Sequence, residues 1–284
     1  MKVCVIGAGT MGAGIAQVFA SYGHDVILCD VNNEFVDRGI SHVRNNLNKL
    51  LKKEKINSDS FERTLARIKG TTDIESSKDC GLFIEAVVEN IQVKKQLYKE
   101  LDAIAKPDAI LATNTSSLSI TEIASATKNP GRVVGMHFFN PAPVMKLVEI
   151  VKGLVTDEPT VQKIFQLSQE LGKEGVIVNE ASGFIVNRML IPMINEAVGI
   201  LAEGIASATD IDRAMVFGAN HPIGPLALAD LIGNDVNLAI MNELYEETGD
   251  PKYRAHMLLK KMVRAGYLGR KSGRGFYDYE EEKK

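Results

Sequence analysis

The chain has 284 residues, of which 45% are apolar and 24% charged, with a formal net charge of −3 and a pI near 6.0. A length of this order suggests two domains, and the mildly acidic balance argues against a nucleic-acid binder, which needs a basic surface. Cys4, Cys29 and Cys80 are widely spaced and odd in number, so they indicate neither a disulfide framework nor a metal site. Reduced thiols, no apolar run near the ~18 residues of a membrane span and no signal-peptide layout at the start lead us to expect a cytoplasmic protein without a membrane partner.

Short apolar runs at 3–6, 26–28, 82–84, 110–113, 133–136, 147–151 and 176–178 read as strands. Amphipathic segments at 11–22, 34–53, 61–68, 91–105 and 121–126 read as helices among them. This alternation predicts an α/β domain, a mostly parallel sheet with helices on both faces. Beyond residue 182 the pattern becomes helical, at 184–202, 209–215, 226–231, 236–247 and 256–265. The expected division is therefore an α/β domain at 1–181 and an all-α domain at 182–284, meeting where a strand run gives way to polar residues. A short edge segment is expected at 275–279, and the charged tail at 280–284 is expected to fray.

Gly7-Ala8-Gly9-Thr10-Met11-Gly12 follows the first strand and opens an apolar helix. In that setting G-x-G-x-x-G is a dinucleotide-binding signature. Gly7 permits the tight turn, Gly9 lets backbone approach a pyrophosphate, and Gly12 lets helix and strand pack closely. Thr10 and Met11 lie where the turn passes into the helix at 11–22, whose N-terminus would receive the diphosphate. Asp30, eighteen residues beyond Gly12, ends the second strand. A carboxylate there accepts ribose hydroxyls and repels a 2′-phosphate, which favours NAD over NADP; FAD uses a similar turn. The N-terminal domain is thus of Rossmann type.

Residues 135–149 form a second informative block. If its two strands fold back about Pro143, His137 and Glu149 face each other across the pair. A carboxylate beside an imidazole fixes its tautomer and supports its charged form, which equips a general base for an alcohol proton. The same spacing would suit a His and a Glu on a sheet edge.

The segments VIGAGTMGAGIAQ, EAVVEN, NTSSLSITEIA, GMHFFNPAPVMKLVEI, GFIVNR, HPIGPLALADLIGND and GYLGRKSGRGFYDY, spanning residues 5–279, resemble the 3-hydroxyacyl-CoA dehydrogenase family, above all its short bacterial 3-hydroxybutyryl-CoA members. The resemblance implies NAD-dependent interconversion of a (S)-3-hydroxyacyl-CoA and a 3-oxoacyl-CoA in fatty-acid or butyrate metabolism. It implies His137 as general acid/base, Glu149 as its support, Ser116 on the substrate C3 oxygen and Asn187 on a substrate oxygen. It places Glu89, Lys94, Asn114 and Asn140 near the cofactor, and it implies a homodimer formed through the helical domain. Each assignment has a plainer counterpart. Ser116 or Ser117 could cap the helix near residue 121, Asn187 could be an interior polar group, and Glu89 and Lys94 could be solvated charges. Lys52 and Lys55 are candidates for the polyanionic CoA, although a lysine run is usually a solvated helix face. Ser182 stands where the family commonly has Pro, which would loosen the hinge without removing a reacting group. Other readings are a Rossmann dehydrogenase of a free hydroxy acid or sugar acid, and a non-enzymatic NAD-binding protein.

Overall fold

The computed structural model describes residues 1–279, so the expectation for the tail at 280–284 lies outside the described residues. Two compact units are present, Met1–Ala181 and a second beginning at Ser182. In the first, β1 (Lys2–Ile6), α1 (Thr10–Ser21), β2 (Asp25–Cys29), α2 (Asn33–Lys52), α3 (Ser58–Ala66) and β3 (Ile68–Thr71) lead to β4 (Leu82–Glu85), α4 (Ile91–Ile104), β5 (Ile110–Thr113) and α5 (Ile120–Ala124). β6 (Val133–Phe138), β7 (Leu147–Lys152), α6 (Glu158–Glu170) and β8 (Glu174–Asn179) complete it. The sheet order is β3-β2-β1-β4-β5-β6-β7-β8. All neighbouring strands run parallel except β6 and β7. The chain winds outward from β1 in one direction and from β4 in the other, which opens a crevice at the carboxyl ends of β1 and β4, where such sheets take ligands.

β4 and β5 are buried at every residue, as expected of strands covered on both faces, and this is why they read as continuous apolar runs. Helix starts are set by side-chain caps: Asn32 accepts the Phe35 N–H, Asn57 that of Ser60, Asn90 those of Gln92 and Val93, and Ser119 that of Glu122. The α5 cap is therefore Ser119, not Ser116 or Ser117.

The structure corrects three sequence expectations. The helix expected to reach residue 68 stops at Ala66, because Ile68–Thr71 pairs in parallel with β2 as an edge strand. Gly70 is needed there, since a Cβ would come within 2.4 Å of Val36 Cγ1 on α2. Helix α6 was not anticipated, although its buried Val161, Ile164, Leu167 and Ser168 recur at helical spacing. At 275–279 there is no strand, only isolated bridges of Arg274 to Gly269 and Asp278.

The second unit contains α7 (Val186–Ala202), α8 (Ala208–Gly218), α9 (Pro225–Ile232), α10 (Asn234–Thr248) and α11 (Met257–Arg264). α7 supplies Ile191 and Ile194 to one apolar cluster with Ala229, Met241 and Leu244, and Ala197 and Val198 to another with Ile211, Leu226 and Leu259. Two buried carboxylates organise the rest. Asp212 accepts the first free N–H groups of α9, from Leu226 (2.8 Å) and Ala227 (2.9 Å), and the Tyr277 hydroxyl (2.7 Å). Asp230 accepts N–H from Phe276 and Tyr277, both at 3.0 Å, the Tyr279 hydroxyl at 3.1 Å and Asn234 Nδ2 at 3.0 Å. Burial, with the Asp230 charge and hydrogen bond, pushes the Tyr279 hydroxyl up to about 12. The glycine-rich closing segment is thus a turn folded around one aspartate: a Cβ on Gly269 or Gly275 would fall 2.3 Å and 1.9 Å from atoms of Asp230. Asp230→Ala leaves several inward donors unpaired and should cost roughly 3 kcal/mol of stability. Urea unfolding of the full chain measures it, and a loss below about 1 kcal/mol would refute this account.

Candidate active site

Each glycine of the first turn has a distinct geometric reason. Gly7 sits at φ +97°, and a Cβ there would approach the Ala86 carbonyl oxygen to 2.6 Å. On Gly12 a Cβ would lie 1.7 Å from the Gly7 oxygen, so this residue allows α1 to start against the strand. At Gly9 a Cβ meets nothing within 4 Å; this glycine faces open space. No side chain caps α1, and its first turn, which holds Thr10 and Met11, carries no acidic residue. An uncapped, positively polarised helix end beneath open space fits a diphosphate. Asp30, at the end of β2, accepts the Ala8 N–H (2.6 Å) and the Val31 N–H (2.7 Å). A carboxylate has about four lone-pair sites, so Asp30 can clasp the turn and still receive ribose hydroxyls.

Further along the sheet, the antiparallel register pairs His137 of β6 with Glu149 of β7. Their side chains meet, His137 Nδ1 to Glu149 Oε2, at 2.8 Å, with His137 6% and Glu149 1% exposed. A carboxylate at Nδ1 makes this the protonated nitrogen of the neutral ring and leaves the lone pair on Nε2. The Phe139 ring lies 4.5 Å from the imidazole, centroid to centroid. Asn114, just beyond β5, accepts the Phe138 N–H at 2.8 Å and so ties the end of β5 to the strand that carries the histidine. Asn140, exposed, follows in the connecting turn. That turn is held by a residue the sequence did not single out: Lys173 Nζ, buried, donates to the carbonyls of Ala142 (2.6 Å) and Met145 (2.7 Å). Burial lowers the Lys173 pKa.

Between these two groups runs a chain of charges. The register places Glu85, the last residue of β4, beside Thr113, the last of β5. Glu85 is fully buried and accepts from Lys94 Nζ (2.6 Å), Thr113 Oγ1 (2.8 Å) and the Val87 N–H (2.8 Å). Lys94 also pairs with Glu89 at 3.2 Å. Glu89 in turn accepts the Thr115 hydroxyl, the Ser116 N–H (3.0 Å) and, at 3.4 Å, the Ser117 hydroxyl. Burial and the Glu85 charge together hold the Tyr98 hydroxyl pKa well above its usual range. Lys94 is therefore not a solvated charge: it is 1% exposed.

Of the other sequence-predicted residues, Asn187 is half-buried in the first turn of α7, in the second unit. Lys52, in the last turn of α2, and Lys55, just beyond it, are exposed. Sequence reading missed Glu85 and Lys173. The signal for Glu85 was available, an acid closing an otherwise apolar strand, whereas nothing local marks Lys173.

A strand order that reverses at β1, a glycine turn shaped for a diphosphate and a carboxylate-supported histidine together define a dinucleotide-dependent dehydrogenase. The family "3-hydroxyacyl-CoA dehydrogenase" matches this chain through its NAD-binding domain at residues 2–181 and its C-terminal domain at residues 183–279. The chain is 57% identical to a 3-hydroxybutyryl-CoA dehydrogenase of Clostridioides difficile over 98% of its own length and 99% of the relative's. It is 48% identical to a probable 3-hydroxybutyryl-CoA dehydrogenase of Bacillus subtilis, over 99% and 98% of the two chains. The crystal structure of (S)-3-hydroxybutyryl-CoA dehydrogenase from Ralstonia eutropha superposes with a TM-score of 0.95 at 50% identity, covering 98% of each chain. The chain belongs to the 3-hydroxyacyl-CoA dehydrogenase family, and its cofactor is NAD.

The open space over Gly9 gives a clean test. Gly9→Ala should leave the thermal midpoint within about 2 °C of the parent and weaken NADH binding by roughly tenfold or more, because the methyl group enters the diphosphate's space. NADH fluorescence titration reads the second effect; unchanged affinity would place the diphosphate elsewhere.

Proposed function

We propose that this chain is an NAD-dependent dehydrogenase that interconverts (S)-3-hydroxyacyl-CoA and 3-oxoacyl-CoA, with 3-hydroxybutyryl-CoA and acetoacetyl-CoA as the working pair. The observation that carries this reading is the buried His137–Glu149 pair at 2.8 Å, on the sheet that also carries the glycine turn. The substrate assignment draws on the relatives' names.

The C3 hydroxyl of the substrate gives its proton to Nε2 of His137, while the Nδ1 proton stays on the ring and is donated in a hydrogen bond to Glu149 Oε2. NAD held by the glycine turn and Asp30 would supply the acceptor for the C3 hydride in oxidation and, as NADH, its donor in reduction. In reduction, imidazolium delivers its Nε2 proton to the oxygen that becomes the hydroxyl. Ser116 donates a hydrogen bond to the C3 oxygen and fixes its distance from the imidazole. Asn187, on the family resemblance, binds a substrate oxygen. Gly7, Gly9, Thr10, Met11 and Gly12 cradle the diphosphate and Asp30 reads the adenosine ribose. Glu89, Asn114 and Asn140 line the nicotinamide end, with Lys94 behind Glu89. The CoA phosphates meet Lys52 and Lys55, whose exposure at the end of α2 leaves them accessible.

We place the protein in the cytoplasm, where buried reduced thiols such as Cys4, Cys29 and Cys80 persist, with a role in fatty-acid and butyrate metabolism. We assign it a homodimer built on the second unit. Met189, Ile205 and Phe217 of that unit are exposed, Phe217 at 80%, and exposed apolar side chains of this size suit an interface. Light scattering after size exclusion should report about twice the 31.0 kDa chain mass; a monomer at micromolar concentration would remove the assignment.

NADH oxidation with acetoacetyl-CoA tests the reaction, with free acetoacetate and NADPH as controls. Turnover should require both the CoA thioester and NADH. His137→Gln should lower kcat by roughly 10²–10⁴ and change NADH affinity by less than about threefold. Parallel loss of both would deny His137 a purely chemical role, and turnover of the free acid alone would assign the chain a hydroxy-acid substrate.

A further inference from the structure

The helix that opens with the glycine turn also touches the connection between the strands that carry His137 and Glu149. Gly14, buried in the second turn of α1, faces that connection: a Cβ there would stand 3.2 Å from Ala142 Cβ and 3.4 Å from Pro143 Cδ. Carbon atoms pack best at about 3.5–4.0 Å, so α1 comes this close only because residue 14 has no side chain. Ala142, on the other side of the contact, is 1% exposed. Just past the far end of α1, a Cβ on Gly172 would run into the Tyr22 hydroxyl. The residue after Gly172 is Lys173, whose Nζ donates to the carbonyls of Ala142 and Met145. The helix, the β6–β7 connection and the residues leading into β8 therefore meet pairwise in a closed circuit, and none of the three can shift alone.

Lys173 takes its place in this circuit against the cost of burial. It is 8% exposed, and among the described residues no carboxylate pairs with it. A buried ammonium without a counter-charge is unfavourable, and an apolar side chain of the same length would fill the space. What the ammonium adds is directed bonding to two carbonyls. The connection curls on itself, with the Val144 and Met145 N–H groups both turned back to the Pro141 carbonyl at 2.9 and 3.0 Å. Lys173, together with the Glu174 N–H on the Lys146 carbonyl (2.8 Å), ties this curl to β8.

We propose that Lys173 and Gly14 are positioning residues, which hold the β6–β7 connection against α1 and so fix His137 relative to the helix that receives the cofactor diphosphate. The proposal rests on the reading of His137 as the acid/base group. Ala142 follows His137 by five positions, so a displaced connection displaces the imidazole. Misplacing a reacting group by about 1 Å can cost on the order of a hundredfold in rate.

The experiment compares the full-length parent with Lys173→Met, Gly14→Ala and Gly14→Ala/Ala142→Gly. Readouts are kcat with acetoacetyl-CoA, the isotope effect with NADH deuterated at the transferred position, and NADH affinity by fluorescence. A further readout is the nuclear magnetic resonance signal of His137 in protein with histidine isotope-labelled at Cε1, identified by its loss in His137→Gln. Lys173→Met should lower kcat by about tenfold or more, raise the isotope effect and move the His137 signal, with NADH affinity within about threefold of the parent. A residue that served stability alone would lower the thermal midpoint and leave kcat, isotope effect and signal at parent values. Gly14→Ala should act in the same direction, because its methyl group pushes the connection away. Adding Ala142→Gly removes the 3.2 Å contact and leaves the nearest atoms at 3.4 and 3.7 Å, so kcat should return to within about threefold of the parent. Parent-like kcat or an unmoved His137 signal in Lys173→Met, or no recovery on adding Ala142→Gly, would overturn the proposal. Should Lys173→Met fail to fold, the Gly14 pair decides alone. A parent that binds NADH but does not reduce acetoacetyl-CoA would refute the proposed reaction instead, and the His137 signal in the same variants would still decide whether Lys173 and Gly14 place the imidazole.

Discussion

The meeting of His137 with Glu149 depends on one reversal of direction. Every neighbouring pair in the eight-stranded sheet is parallel except β6 and β7, and their antiparallel register sets His137 opposite Glu149. Strand side chains alternate with a period of two, so a slip of one residue would send the imidazole and the carboxylate to opposite faces. Several contacts guard against such a slip. Asn114 takes the Phe138 N–H, Lys173 holds the turn by two carbonyls, and the parallel pairing of β7 with β8 anchors the returning strand. The geometry of the His137–Glu149 pair is therefore built mainly from backbone pairing, and the side chains follow from it.

Burying charge is costly, and this fold does so repeatedly near the carboxyl ends of its strands, at Glu85, Lys94, His137, Glu149 and Lys173. Each of the first four has a charged or ionisable partner within 2.8 Å, and Lys173 has two carbonyl oxygens instead. Equivalent apolar packing would often be at least as stable, but it would leave the ends of β4, β5 and β6 without directional contacts. Hydrogen bonds with fixed lengths hold the serine loop, the histidine and the turn between β6 and β7 in a defined relation. In the second unit Asp212 and Asp230 use the same device for structure alone, capping α9 and seating the closing turn.

Features governed by local chemistry were legible in the sequence. The glycine turn, Asp30 and the facing of His137 and Glu149 follow from spacing and periodicity, and the strand-to-helix change located the boundary between the two units. Features governed by partners distant in sequence were not. Ile68–Thr71 is a strand because β2 offers it an edge; with one large apolar residue and a glycine it carries little strand signal of its own. Ser116 and Ser117 looked like cap residues, yet Glu89, twenty-seven and twenty-eight positions away, engages them while Ser119 caps the helix. Lys173 is invisible for the same reason, since its partners lie twenty-eight and thirty-one positions upstream. Lys94 reads as a surface charge until the strand that buries it is in place.

Asp30 carries a consequence for redesign. In the proposed reading its carboxylate discriminates between cofactors, and it is also the clasp that joins the end of β2 to the Ala8 N–H inside the glycine turn. Selectivity and loop architecture thus share one side chain. A protein in which these tasks were separate could drift from one nicotinamide cofactor to the other by exchanging a single residue. Here such an exchange would loosen the diphosphate turn that both cofactors need, so the first step toward NADP leads through a form that holds neither well. Any lineage that crossed it had to secure the turn by other means first, which makes the preference for NAD an inheritance of the loop as much as of the pocket.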